Sequence, residues 1–288
     1  MAYLFKCSRL LLSVICLALT LHAHGQASTS KTITHYQSQA RYSFGHELLV
    51  LALSKLDQPY QVHAFSDYSV NEARGEKLLI EGKFDIQWLS TSSQRESKLI
   101  PIKIPIYKGL LGLRLLLVTK ENKEKLSQIR TLKDLQQYTG GHGSHWGDLP
   151  VYAANQLPVN PHAQYKPLFR QLAENRFDYF HRGVNEIWEE LARYSDRLDI
   201  ADGVMLYYPH PVYYFVNKDD ETLAAQITTV LNMALKDGSY KHLFLKHHKQ
   251  MISKSRLADR QLILLKNPIL PKGTPTINTQ WWLPIKNH

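Results

Sequence analysis

Leu79-Ile80-Glu81-Gly82-Lys83-Phe84-Asp85 is echoed ninety-three residues later by Leu172-Ala173-Glu174-Asn175-Arg176-Phe177-Asp178. Each copy reads as the end of a helix, a capping residue and the entry to a buried strand. Gly82 suits a left-handed C-terminal cap because it has no Cβ, and Asn175 is the next most tolerant residue type at such a position. Seven positions fit two readings, a duplicated unit or the helix-turn-strand step found throughout α/β proteins. A duplicated unit would give two lobes of similar design, with loops at the carboxyl ends of parallel strands, where α/β sheets bind ligands.

Outward from this pair, short β-rich runs alternate with helical patterns, which is the signature of α/β architecture. His46 to Leu56 predicts a buried helix stopped by Asp57-Gln58-Pro59, Tyr60 to Phe65 alternates like a strand, and a second helix runs from about Asn71 to Glu81. Phe84 to Leu89 then reads as a buried strand. Leu113 to Val118 is an apolar strand long enough to pass between lobes, and Val212 to Val216 is a candidate return crossing. Asp219 and Asp220 can cap a helix with Leu223, Ala224, Ile227, Val230, Leu231, Ala234 and Leu235 on one face. Asp237-Gly238-Ser239 ends that helix, and a tail with Asn267-Pro268, Leu270-Pro271 and Trp281-Trp282-Leu283-Pro284 reads as irregular and surface-wrapping.

The chain has 288 residues, 44% hydrophobic and 21% charged, enough to bury a core without disulfide or metal staples. Its formal charge of +10 raises a nucleic-acid or membrane-surface role. The N-terminus argues otherwise. Lys6 and Arg9 precede an uncharged apolar run from Leu10 to Leu21 and then Ala23-His24-Gly25, the three-part build of a secretory signal peptide over residues 1–25. The run is short for a membrane span, so an anchor helix is expected only if cleavage fails. Cys7 and Cys16 both lie inside this segment, and the bulky Ile15 before Cys16 argues against lipid modification. The mature protein is expected in the periplasm, free of cysteine, with an excess of eight positive charges spread along the chain and no nucleic-acid partner.

These residues resemble the type II periplasmic solute-binding proteins, in particular the polar amino-acid family of ABC importers. The resemblance rests on Gly82-Lys83-Phe84-Asp85 leading through Ser90 to Arg95, on Pro105-Ile106-Tyr107, on Val216-Asn217-Lys218-Asp219-Asp220 and on Leu235-Lys236-Asp237-Gly238-Ser239-Tyr240. It implies a two-lobed clamp that closes by a hinge motion on a small solute. Residues 26–118 would form the first part of lobe 1, 119–212 lobe 2, and 213–288 a return to lobe 1 with the C-terminal tail. The implied partners are a small-molecule solute and an inner-membrane ABC permease, and the implied state is a monomer without cofactor.

In that family an Arg a few residues after the strand-ending serine pairs with the solute's α-carboxylate, a role that falls on Arg95, five positions beyond Ser90. A guanidinium offers a planar fork that a carboxylate accepts bidentately, and serine hydroxyls add directional bonds. The alternative is that Arg95 pairs with Glu96 or another acid of its own chain. In the second lobe Gly143-Ser144 stands where the family has a Gly-Ser or Gly-Thr turn, followed by His145 and Trp146. After the second copy comes Arg182-Gly183-Val184-Asn185-Glu186, where amino-acid binders place the acid for the solute's ammonium. Counting from the shared Asp puts Gly183 at that position, so Asn185 and Glu186 are the substitutes, with a helix-start role for Glu186 as the alternative. His35 to Gly45 replaces a longer aromatic segment, and Tyr36, Tyr42, Trp88, Tyr107 and Trp146 are candidates either for a rebuilt aromatic wall or for core and rim positions.

Catalysis is not expected. No Gly-x-Ser-x-Gly or His-Glu-x-x-His occurs, and no nucleophile with its base stands out. His142 and His145 lie in an irregular loop that does not fix metal geometry, so no metal is expected there. The competing class is an exported sensory or interaction module of the same fold uncoupled from transport, motivated by the short first segment and the long tail.

Overall fold

The computed structural model describes residues 30–66, 70–274 and 280–284. The expected export segment, with Lys6, Cys7, Arg9 and Cys16, lies outside the described residues. In chain order the first third holds β1 (Lys31–His35), α1 (Ser43–Leu53), β2 (Tyr60–Ala64), α2 (Glu72–Ile80), β3 (Gln87–Ser90), α3 (Ser93–Glu96) and β4 (Leu99–Ile102). The middle holds β5 (Leu113–Thr119), α4 (Lys123–Ser127), α5 (Leu132–Leu135), β6 (Gly140–Gly143), α6 (Leu149–Ala154), β7 (Val159–His162), α7 (Tyr165–Ala173), β8 (Tyr179–Gly183), α8 (Ile187–Tyr194), β9 (Leu198–Ile200) and β10 (Val204–Tyr207). The last part is β11 (Val212–Asn217), α9 (Glu221–Lys236), α10 (Ser239–Ser255) and β12 (Gln261–Leu264).

The strands form two regions. In the first, β1 pairs in parallel with β2, and β11 lies antiparallel between β3 and β4. The Thr34 carbonyl accepts from the amides of Asp85 and Ile86, at 3.1 and 3.3 Å, which ties the two small sheets together. The second region is a seven-stranded sheet in the order β12-β10-β5-β8-β6-β7, with β9 also beside β5. Every residue of β5 is buried, as a strand covered on both faces requires.

The echoed heptapeptides build the same local structure twice. Gly82 and Asn175 both adopt positive φ, +68° and +55°. The amide three residues past each helix end reaches back across the cap, Lys83 to the Leu78 carbonyl and Arg176 to the Gln171 carbonyl, both at 2.9 Å. These bonds satisfy the carbonyls that a helix end leaves open. Asp85 and Asp178 then repeat one contact: the Thr34 amide donates to Asp85 at 2.7 Å and the Thr139 amide to Asp178 at 2.8 Å. Each Asp amide donates back to the same threonine's carbonyl. Of the two readings of the pair, the duplicated unit is the one these matching bonds support, because a chance likeness of helix ends would not reproduce a partner some forty to fifty residues away.

The predicted helices form with small shifts. α1 starts at Ser43, three residues before the expected His46. Asn71 caps α2 by accepting from the Arg74 amide, and Asp220 caps α9 by accepting from the Leu223 amide. Leu48, Leu49 and Ala52 of α1 share one core with Ile227, Val230, Leu231 and Ala234 of α9 and with Tyr240 and Phe244 of α10. Leu235, expected on the same face of α9, is only partly buried.

Both runs expected to cross between lobes belong to one region throughout. β5 lies in the seven-stranded sheet from Leu113 onward, and β11 lies in the three-stranded sheet. The chain passes between regions at residues 103–112 and again at 208–211. The expectation that 213–288 stays with the first lobe needs correction: α9 and α10 pack on α1, but β12 pairs in parallel with β10 and so returns to the larger sheet. Gln-Leu-Ile-Leu is too short to announce a strand, and it becomes one because β10 offers an open edge. The tail then comes back to the first passage, where the Leu283 amide donates to the Lys108 carbonyl at 3.0 Å and Lys108 Nζ to the Gln280 carbonyl at 2.6 Å.

The two main passages touch at Gly112, where a Cβ would lie 2.2 Å from the Tyr208 carbonyl oxygen. Backbone cannot yield there as a flexible side chain would. Gly112→Ala is expected to force the passages apart and cost about 1–3 kcal/mol, read as a lower urea midpoint; an unchanged midpoint would show that they separate freely.

Candidate functional site

The passages bring together two sets of polar side chains. On the large sheet, Arg114 enters at the start of β5, within the apolar run Leu113-Arg114-Leu115, and is buried. A guanidinium in that position has to be paired. Its Nη2 meets Asp148 Oδ2 at 2.8 Å, and Asp148 Oδ2 also accepts from the Tyr208 hydroxyl at 2.6 Å. His142 Nε2 lies 3.3 Å from Asp148 Oδ1. Burial opposes the charge on Asp148, but Arg114 and the His142 contact prevail and hold its carboxyl well below the usual carboxylate range. Beyond His142, the His181 ring is 5.1 Å away, and its Nδ1 bonds the Tyr152 hydroxyl at 2.5 Å. Burial, then the neighbouring His142 and Arg114, push His181 far below its ordinary value, so it is neutral.

Next to this network, Arg182 at the end of β8 donates to Glu190, from Nε at 2.8 and 3.0 Å and from Nη2 at 2.7 Å. Its Nη2 also lies 3.1 Å from Glu186 Oε2, and its guanidinium sits over the Trp146 and Phe180 rings at 4.8 and 5.0 Å. Glu186 Oε2 further accepts from the Gly183 amide at 3.1 Å and approaches Arg114 Nη1 at 3.6 Å. With its side chain 30% exposed, Glu186 is the open member of a group whose other charged members are 4–7% exposed. Asn185 Oδ1 is buried without a hydrogen-bond partner.

On the first region, Ser90 closes β3 and its carbonyl accepts from Arg95 Nη1. The rest of the Arg95 fork is occupied by Glu76, at 2.8 and 3.0 Å, and by Glu72 at 3.0 Å. Of the two readings of Arg95, pairing with acids of its own chain is therefore the one the geometry has, with Glu72 and Glu76 of α2 in place of Glu96. Glu96 instead accepts from the Thr91 hydroxyl at 2.6 Å. Trp88 and Tyr107 are core residues, 3% and 7% exposed; Trp88 packs on His35 and Tyr214, and Tyr107 on Phe44 and His248. Tyr42 is half-buried and meets the Trp88 ring edge-on at 6.1 Å.

His210 lies on the second passage, between Tyr208, whose hydroxyl donates to Asp148, and Pro211, whose carbonyl accepts from the Thr91 amide just after β3 at 3.0 Å. Burial lowers it to about 4; the carboxylates of Asp148 and Glu186 oppose that shift, and Arg114 and Arg95 add to it. Among the expected site residues, Trp146, Arg182, Asn185 and Glu186 are brought together beside the passages. Ser144 follows β6 and binds the His162 carbonyl through its amide at 3.0 Å, and His145 is exposed. Sequence reading missed Arg114, Asp148, Tyr208 and His210. The signal for Arg114 was present, since a lone charge inside an apolar strand needs a buried counter-charge. Among the described residues no group of three or more His, Cys, Asp or Glu is placed to hold a metal, and no helix is long and apolar enough to cross a membrane.

No protein-family profile matches the sequence, and no curated protein matches it. Solved structures do. A probable amino-acid ABC transporter extracellular-binding protein from Bacillus subtilis aligns with a TM-score of 0.59 at 19% identity, over 76% of this chain and 97% of the other. A Salmonella typhimurium periplasmic binding protein described as having high arginine specificity aligns at 0.57 and 18%, over 76% and 100%. A histidine kinase sensor domain with similarity to periplasmic binding proteins aligns at 0.55 and 15%, over 76% and 97%. At these identities the likeness is one of architecture, and it is sustained over nearly the whole of each relative: the chain has the two-lobed α/β fold of the type II periplasmic binding proteins.

Proposed function

We propose that this protein is an exported solute-binding protein, which captures a small polar, amino-acid-like solute between its two regions and delivers it to an inner-membrane ABC permease. The observation that carries this reading is that the second passage joins both regions beside these loops: the Thr91 amide after β3 donates to the Pro211 carbonyl at 3.0 Å, and the Tyr208 hydroxyl donates to Asp148 of the loop after β6 at 2.6 Å. Loops at the carboxyl ends of strands are where such sheets bind ligands. Closure would be selected by contacts the solute makes only when both regions surround it. The protein would bind its solute and release it unchanged.

A thermal-shift screen of the mature protein against amino acids, amines and small organic acids tests this. A solute at one hundred times its dissociation constant adds about 2.7 kcal/mol of stability. A selective, saturable rise in melting temperature is expected, and a flat response across the panel would overturn the assignment.

The second reading, a sensory module of the same fold, is favoured by the sensor-domain likeness and by the tail fixed to the first passage at Lys108. Genes for a permease and an ATPase beside this one would support transport, whereas an adjoining signalling gene would support sensing.

A further inference from the structure

The excess positive charge of the chain points toward anionic solutes, but the buried guanidiniums beside the passages are outnumbered by the carboxylates they pair with. Arg114 and Arg182 face three carboxylates, Asp148, Glu186 and Glu190, and Arg95 faces two, Glu72 and Glu76. Each guanidinium is committed before any solute arrives. A carboxylate entering at Arg114 or Arg182 would have to displace a buried acid, Asp148 or Glu190, from its partner, and at Arg95 it would compete with Glu76 and the exposed Glu72.

What remains open are acceptors. Glu186 uses Oε2 for its protein contacts, and Asn185 Oδ1 is buried with no donor. Gly183 packs tightly beside both side chains, since a Cβ there would lie 2.7 Å from Asn185 Oδ1, 3.0 Å from Glu186 Oε2 and 3.1 Å from Leu111 Cδ1. A solute with several N–H groups would supply donors to the two oxygens that the protein leaves open, Glu186 Oε1 and Asn185 Oδ1.

Resting on the solute-binding reading above, we propose that the solute is an organic cation, an ammonium or guanidinium compound recognised through Asn185 and Glu186, and that it needs no carboxylate. Arg41 is the competing route for an acid, since it is exposed and stacks over the Tyr42 ring at 4.6 Å.

The test is calorimetric titration of the mature protein with agmatine, putrescine, arginine, glutamate and succinate. Agmatine, which is arginine without its carboxylate, is expected to bind at least as tightly as arginine, and glutamate and succinate not to bind. Glu186→Gln is expected to weaken agmatine roughly ten- to hundredfold, the worth of a hydrogen bond to a charged group. Asn185→Leu removes the second acceptor without touching the Arg182 and Arg114 pairs, so a loss in this variant separates recognition from misfolding. Binding of arginine or glutamate with agmatine and putrescine silent, abolished by Arg41→Ala, would overturn the inference while leaving the solute-binding reading in place. Silence across this panel and the wider thermal-shift panel would remove both.

Discussion

Asp148→Ala is expected to lower stability by about 3–5 kcal/mol, the cost of stranding a buried charge by deleting its partner. Arg114 would keep its guanidinium inside the protein with only Glu186 Oε2, at 3.6 Å, for a counter-charge. The Tyr208 hydroxyl would lose its acceptor in the same step. For a chain of this size each kcal/mol moves the melting temperature by roughly 2–4 °C, so a fall on the order of 10 °C should be seen calorimetrically. The double variant Arg114→Met/Asp148→Leu should cost much less than the sum of the two single changes, because it removes both charges together. Additive costs in that cycle would show that the pair is not coupled. The effect reaches beyond stability. Asp148 closes the loop after β6, Arg114 opens β5 beside the first passage and Tyr208 begins the second, so one carboxylate fastens the candidate binding loop to both connections.

Acidification from pH 6.5 to about 4 should destabilise the protein by an amount comparable to a typical domain's whole stability. Burial, with His46 and His63 adding to it, lowers His35 to about 4. Burial lowers His210 to about 4 and His248 to about 3, and His181 also lies far below its ordinary value. Groups depressed in the native state bind protons first when unfolded. The unfolded chain takes up protons near pH 6.5 that the native one refuses, and stability falls as pH drops through that window, flattening below the native values. Each shift of about 2.5 pH units is worth roughly 3 kcal/mol, against about 5–15 kcal/mol for a whole domain. Asp148, depressed in the native state, adds a loss of the same sign at lower pH. Urea midpoints measured at pH 7.5, 6, 5 and 4.5 should fall steadily; a midpoint constant down to pH 5 would mean that these imidazoles accept protons in place.

Much of the fold was legible because its signals are local. Caps at Asn71 and Asp220, the breaker at Asp57 to Pro59, the left-handed positions at Gly82 and Asn175 and the helical face from Leu223 to Ala234 all depend on residues a few positions apart, where backbone sterics and helical period dominate. The likeness of residues 79–85 and 172–178 belongs to the same class, and it carried the α/β reading and the idea of two related units.

Pairings between distant positions were decided only by the folded chain. Arg95 follows the strand-ending Ser90 at the spacing of a carboxylate binder, yet its fork is taken by Glu72 and Glu76 across the turn between α2 and β3. Residues 261–264 become a strand only because β10 has a free edge some sixty residues earlier in the chain. The Arg114 and Arg182 network beside the passages likewise carries more carboxylates than guanidiniums despite the basic composition, since a buried guanidinium is balanced by whichever carboxylate packing brings within about 3 Å, and a sequence of charges contains no distances. The sequence by itself determined an α/β chain with two similar units and its capped helices; the tertiary structure decided which charges are spent on one another and that Asn185 Oδ1 is buried without a donor.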